Sequence, residues 1–197
     1  MTTRVFTHDG REDVMRKVVL YELVSLDGVA EAPENWFPMD DDEVYIEHLA
    51  EVIGSQDTVL LGRAMYDEWS RFWPGSDLEP FAGFINGVQK YVATSSPLTT
   101  PWTNTEATDK PADTVRQLKA RSGGDIGVHG SIRLAQSLLS AGLVNELRLV
   151  IAPSLAGSGR KLFDTPDVLR RLTLQDGRRT PNGLVLLSYA VTSPASH

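Results

Sequence analysis

Asp125 to Leu139, DIGVHGSIRLAQSLL, reads as a strand running straight into a helix, and Thr58 to Trp69, TVLLGRAMYDEW, has the same shape. In each, a short apolar run stops at a glycine, Gly130 or Gly62, and a helical pattern begins within a residue or two. Two helix N-termini are thereby placed at strand ends. The first N–H groups of a helix have no intrahelical partner and sit at the positive end of its dipole, so such ends attract phosphate. A ligand with two phosphate groups suits a pair of them. Taken singly, each glycine is more readily a turn than a ligand cradle, and neither segment matches G-x-G-x-x-G or the Walker pattern. The weight rests on the pair and on what surrounds it.

Around these joints the chain alternates strands and helices. Lys17 to Ser25, KVVLYELVS, has the composition of a buried strand ended by the turn Leu26-Asp27-Gly28. A loop with two prolines and Trp36 leads to a helix whose face is Tyr45, Leu49, Val52 and Ile53, stopping at Gly54. Ala64 to Phe72 reads as a short aromatic helix, Lys90 to Ser95 as a strand, and Ala112 to about Arg121 as a helix. Ile126 to His129 is the strand of the second joint, followed by a helix over Ile132 to Ala141 and a strand over Glu146 to Ala152. That alternation predicts an α/β fold with a mainly parallel central sheet flanked by helices. Leu172 to Arg178 and Leu184 to Val191, joined through Pro181-Asn182-Gly183, add a C-terminal antiparallel hairpin.

The chain has 197 residues, a length that suits one domain able to bury roughly 70% of its unfolded surface. That domain is expected over residues 15–192, with flexible extensions at 1–14 and 193–197. With no cysteine, a disulfide framework, a thiolate metal site and a cysteine nucleophile are excluded. The polar start without an apolar signal core, and the lack of any long apolar run, point to a cytoplasmic protein. A net charge of −7 repels nucleic acid and anionic lipid in bulk, so any anion must be bound locally.

The series SLDG at Ser25 to Gly28, LLGRAMYDEW at Leu60 to Trp69, KYVATSS at Lys90 to Ser96, GVHGSIRLAQSLLSAGLVNELRLVIAP at Gly127 to Pro153 and AGSGRKLF at Ala156 to Phe163 resembles the reductase domain of bifunctional riboflavin-biosynthesis enzymes. The likeness is to stand-alone members grouped with the dihydrofolate reductase fold, and it spans roughly residues 15–192 with the motifs in order. It implies a dihydrofolate reductase-like sheet, a homodimer, and an NADPH-dependent reductase of a small heterocycle, like 5-amino-6-(5-phosphoribosylamino)uracil reductase. The cofactor-binding residues implied are Gly62, Arg63, Ala64 and Met65 at the first joint, Thr94, Ser95 and Ser96 beside the adenosine 2′-phosphate, and Val128, Gly130, Ser131, Ile132, Arg133 and Leu134 around the pyrophosphate. The planar guanidinium of Arg63 is the natural partner for the 2′-phosphate. Met65 stands where the motif usually has threonine, and His129-Gly130-Ser131 offers one glycine where dihydrofolate reductases have two adjacent ones. The deaminase half of the bifunctional enzymes requires cysteine ligands to zinc, which this chain does not have.

Hydride transfer asks of a protein orientation, a proton source and exclusion of water, and leaves no obligatory nucleophile motif. Substrate candidates therefore come from position: Asp27, Trp36, Asp42 and Tyr66, with Asp40, Asp41, Glu43 and Trp73 nearby. Each has a plainer alternative. Acidic residues ahead of a helix cap it, Asp27 before Gly28 is ordinary turn chemistry, and aromatics on a short helix are usually core. Histidines at metal-ligand spacing are absent, His129 adjoins the phosphate joint, and Arg160 and Lys161 face either a substrate phosphate or solvent. A non-catalytic nucleotide-binding or scaffold protein retaining the fold is the rival reading.

Overall fold

The structure is a computed structural model, and it describes residues 16–38, 42–164 and 169–192. The expected terminal extensions, residues 1–14 and 193–197, and Asp40 and Asp41 lie outside the described residues. In chain order the elements are β1 (Val18–Ser25), α1 (Glu43–Gly54), β2 (Gln56–Gly62), α2 (Arg63–Phe72), α3 (Phe81–Gly87), β3 (Gln89–Ala93), β4 (Thr105–Thr108), α4 (Pro111–Lys119), β5 (Asp125–His129), α5 (Ile132–Ser140), β6 (Glu146–Ala152), β7 (Leu172–Arg179) and β8 (Val185–Val191).

The strands form one eight-stranded sheet in the order β4-β3-β2-β5-β1-β6-β8-β7. From β4 to β6 every pairing is parallel, and β8 runs antiparallel to both β6 and β7. The α/β sheet and the closing hairpin are thus as the sequence pattern predicts. Within the sheet β8 is paired on both sides, by β6 and β7, and β7 is the edge strand at this end.

Strand alternation sorts the core into two layers. Val18, Leu20, Val24, Ile126, Val128 and Leu147 face α4 and α5, while Val19, Tyr21, Val59, Leu61, Val92 and Val150 face α1 and α3. Buried on both sides, these strands read as nearly continuous apolar runs, as parallel sheets do.

Two elements, α3 and β4, go beyond the pattern expected from the sequence. The α3 helix buries Phe81, Ala82 and Ile85, a spacing of one helical face that follows Pro80, and so carried a usable signal. The edge strand β4, TEAT, has no apolar alternation and is exposed or half-buried throughout, so nothing in its sequence marks it. Lys90, wholly buried, donates to the carbonyls of Ile85 and Val88 at 2.8 Å and closes the end of α3.

Candidate functional site

Because β2 and β5 are adjacent and parallel, the starts of α2 and α5 lie side by side at one end of the sheet. The Gly62 N–H donates to the Ser131 hydroxyl at 2.8 Å, tying the two joints together. A hydroxyl that accepts this bond still has its own hydrogen to donate. Neither α2 nor α5 has a side-chain cap or an acidic residue in its first turn. By contrast, α1 and α4 carry Glu43 and Asp113 there. The two joints therefore keep open N–H donors and an uncompensated positive dipole, the properties an anion needs. Gly130 sits at φ 60°, and a Cβ there would come within 2.8 Å of Met65 Cε, so the backbone bend at the second joint depends on glycine.

Arg63 projects from the first joint to the loop after β3. Its Nε donates to both carboxylate oxygens of Asp67 at 2.9 Å, and its Nη1 donates to the Pro97 carbonyl at 3.0 Å and the Ser96 carbonyl at 3.4 Å. Thr94 Oγ1 lies 3.5 Å from the same nitrogen and accepts from the Ser96 N–H at 3.1 Å. Arg63, Thr94 and Ser96 are thus gathered on one rim, with Ser95 and Ala64 exposed beside them.

At the second joint Arg133 is exposed, but Val128, Ile132 and Leu134 turn their side chains into the core. Any part these three play toward a phosphate comes from the backbone. The His129 side chain does not line the joint either. It points to the α1 and α3 face, where its Nε2 meets Gln56 Oε1 at 2.8 Å and burial holds its pKa down to about 3. A Cβ on Gly127 would fall 2.0 Å from Gln56 Oε1, so that pair requires glycine beneath it.

The substrate candidates separate differently from the expectation. Tyr66 is fully buried, its hydroxyl donating to the Thr100 carbonyl and accepting from the Thr100 N–H at 3.2 Å, which leaves no face for a ligand. Asp42 is the buried N-cap of α1, accepting from the Tyr45 N–H at 3.0 Å. Burial raises its pKa, but hydrogen bonds from Thr180 and backbone N–H groups outweigh this and hold the carboxyl below its usual range. Both side chains are buried and hydrogen-bonded within the protein.

Asp27 accepts from the Ser25 hydroxyl at 2.6 Å and from the N–H groups of Gly157 and Ala156 at 2.9 and 3.0 Å. These bonds pull its pKa down to about 2 and pin the glycine-rich loop against the end of β1. Trp36 donates its indole N–H to the Glu31 carbonyl at 2.8 Å and stays half-exposed, and Trp73 packs edge-on against Trp69. Arg160 pairs with Glu31 at 2.6 Å, which binds the glycine-rich loop a second time to the segment after β1.

The sheet and α1 also bury polar groups not singled out from the sequence. Tyr21 and Glu22 lie side by side on β1, facing opposite sides of the sheet, and His48 sits inward on α1. Burial lifts the Glu22 carboxyl to about pKa 8, against a smaller lowering by the Leu23 backbone. The signal was a carboxylate inside the otherwise apolar run KVVLYELVS. Among the described residues no group of three or more His, Asp or Glu is placed to hold a metal, and no helix is long and apolar enough to cross a membrane.

Residues 16–186 match the RibD C-terminal domain family. The chain belongs to that family. Beyond the RibD C-terminal domain match, the chain is 28% identical over 183 residues to the uncharacterised protein YyaP of Bacillus subtilis (strain 168), covering 88% of this chain and 94% of that one. Its fold is similar to a pyrimidine reductase-like protein from Corynebacterium diphtheriae, with a TM-score of 0.70 at 17% identity over 91% of this chain and 93% of that one. It is also similar to a deaminase and 5-amino-6-(5-phosphoribosylamino)uracil reductase from Thermotoga maritima, with a TM-score of 0.64 at 14% identity, over 90% of this chain and 57% of that longer one. RibD C-terminal domain architecture is therefore the frame in which the paired joints are placed.

Proposed function

We propose that this protein is an NADPH-dependent reductase, transferring a hydride to a C=N or C=O bond of a small heterocycle in a reaction similar to 5-amino-6-(5-phosphoribosylamino)uracil reduction. The observation that carries this reading is the pair of uncapped helix starts, joined by the Ser131–Gly62 hydrogen bond, at one end of a RibD-family sheet. The residues fit a dinucleotide. Backbone donors at Arg63 to Met65, just past Gly62, and at Gly130 to Leu134 would take the pyrophosphate, with the Ser131 hydroxyl between them. Arg63, with Thr94, Ser95 and Ser96 on the same rim, would take the 2′-phosphate. When bound, the dinucleotide supplies the hydride. The chain's own part is to orient both reactants and keep water out.

We further propose a cytoplasmic homodimer formed through β7. This edge strand is exposed, with Leu172 and Leu174 open to solvent at its start, and an unpaired strand edge is suited to a second copy.

The test is a titration with NADPH and NADH, followed by a cofactor-oxidation assay on pyrimidine, pterin and dicarbonyl substrates. Tight NADPH binding with turnover of one substrate class is expected. Failure to bind NADPH would overturn the reading. Binding without turnover across the panel would leave the non-catalytic nucleotide-binding protein.

A further inference from the structure

Ala156 to Lys161, AGSGRK, has the make-up of an anion-binding loop, with two glycines around a serine and then two cations. The loop follows β6, and it lies beside the paired joints. Because β1, β2, β5 and β6 all run parallel, their last residues gather at one end of the sheet. Gln136 of α5 donates through Nε2 to the carbonyls of Lys161 at 3.3 Å and Leu162 at 3.1 Å, which holds the loop against the helix of the second joint.

The anion of this loop comes from the chain itself. Asp27 Oδ1 accepts from the Ala156 N–H at 3.0 Å, and its Oδ2 accepts from the Gly157 N–H at 2.9 Å. Glu31 Oε2 accepts from the Arg160 N–H at 2.9 Å, while Glu31 Oε1 accepts from Arg160 Nε and meets Arg160 Nη2, each at 2.6 Å. Two carboxylates therefore engage three backbone donors and the guanidinium, the groups with which such a loop would hold a phosphate.

The backbone sets both carboxylates in place. Val29 bridges antiparallel to Lys161, the Ala30 N–H donates to the Arg160 carbonyl at 3.0 Å, and the Leu162 N–H donates to the Gly28 carbonyl at 3.1 Å. Gly159 sits at φ 116°, and a Cβ there would come within 2.8 Å of Val29 Cγ1, so the two segments meet this closely only over glycine. The Ser25 hydroxyl and the N–H groups of Gly157 and Ala156 lower the pKa of Asp27, and the Arg160 side chain lowers that of Glu31, so both stay charged at neutral pH. An incoming phosphate must displace Glu31 from Arg160 or lie against two fixed negative charges, and like charges in contact are a means of rejecting a ligand.

We propose that Asp27 and Glu31 close the glycine-rich loop to phosphate, with Glu31 as the specificity-determining residue, so that the hydride acceptor of this protein carries no phosphate ester at this loop. This rests on the reductase reading and narrows it to unphosphorylated acceptors.

Full-length protein with 15N-labelled arginine is titrated with ribose 5-phosphate and with ribose, each with and without NADPH. The Arg160 Nε–H resonance is identified by its loss in Arg160→Lys. In the wild type neither sugar should move it. Glu31→Gln frees the guanidinium and should bind ribose 5-phosphate at least about tenfold more tightly than the wild type, with movement of that resonance and no gain for ribose. Adding Arg160→Ala to Glu31→Gln should abolish the gain, and Glu31→Ala provides a second variant should Glu31→Gln fail to fold. Wild-type protein that binds ribose 5-phosphate with a moving Arg160 resonance overturns the proposal, because Glu31 would then be a placeholder that phosphate displaces. So does a folded Glu31 variant that gains no affinity. The NADPH titration of the same samples tests the reductase reading separately: protein that fails to bind NADPH sinks that reading, while the Arg160 resonance still decides whether the loop is closed.

Discussion

Arg63 carries the sharpest consequence at the level of one side chain, because it is held between two possible partners. Its Nε is engaged by the Asp67 carboxylate, while the rest of the guanidinium lies on the rim with Thr94 and Ser96. If this rim receives the 2′-phosphate, Arg63→Ala removes charge-assisted bonds worth roughly 1.5–3 kcal/mol and weakens NADPH about tenfold to a hundredfold, leaving NADH nearly unaffected. Asp67→Asn should act in the opposite direction and tighten NADPH, since a competing carboxylate has gone. Dissociation constants for both cofactors at fixed ionic strength check this, and equal losses for NADPH and NADH in Arg63→Ala would detach Arg63 from the 2′-phosphate. Buried titratable groups make a second residue-level prediction. Between about pH 4.5 and 8 the folded chain keeps the proton on Glu22 while the unfolded chain releases it, so stability falls as pH rises through that window. His129 acts at the other end: between about pH 6.5 and 3 only the unfolded chain takes up its proton, so stability falls as pH drops. Glu22→Gln should therefore lose less stability than the wild type between pH 5 and pH 8, read as the shift in urea midpoint. An identical shift in both proteins would mean that Glu22 is not held protonated.

At the level of elements, the joints depend on one hydroxyl. Ser131→Ala leaves the Gly62 N–H without its partner and costs about 1 kcal/mol, and it should also weaken NADPH because the group between the two helix starts is gone. Thermal unfolding and the NADPH titration on the same variant separate the two effects, and a variant with unchanged cofactor affinity would confine Ser131 to a structural role. Both joints were legible because each glycine ends an apolar run and starts a helical one, a local pattern that survives without knowing the partner strand. The tie between them was not, since Gly62 and Ser131 become neighbours only through the pairing of β2 with β5. Tyr66 and Asp42 went the same way. Their residue types suit a ligand, but only the positions of Thr100 and of the α1 start reveal that both are already engaged.

At the scale of the whole molecule, one edge of the sheet presents exposed apolar side chains. Leu172 and Leu174 on β7 and Val185 on β8 are open to solvent, in a chain of net charge −7. Leu174→Asp on this surface should leave the fold intact and shift the protein from dimer to monomer in sedimentation at micromolar concentration. A wild-type protein already sedimenting at 21.7 kDa would remove the dimer proposal. The order of the sheet has a further consequence, one that unfolds in time. β1 lies between β5 and β6 and pairs with no other described strand, so it has no partner until residue 125 and beyond have been synthesised. Meanwhile β2, β3 and β4 can pair with one another, whereas the apolar stretch Val18 to Ser25 must wait, exposed, for about a hundred residues of chain. Long-range parallel pairing of this kind is slow and prone to aggregation. The strand that anchors the site is thus the one most in need of protection while the protein is being born.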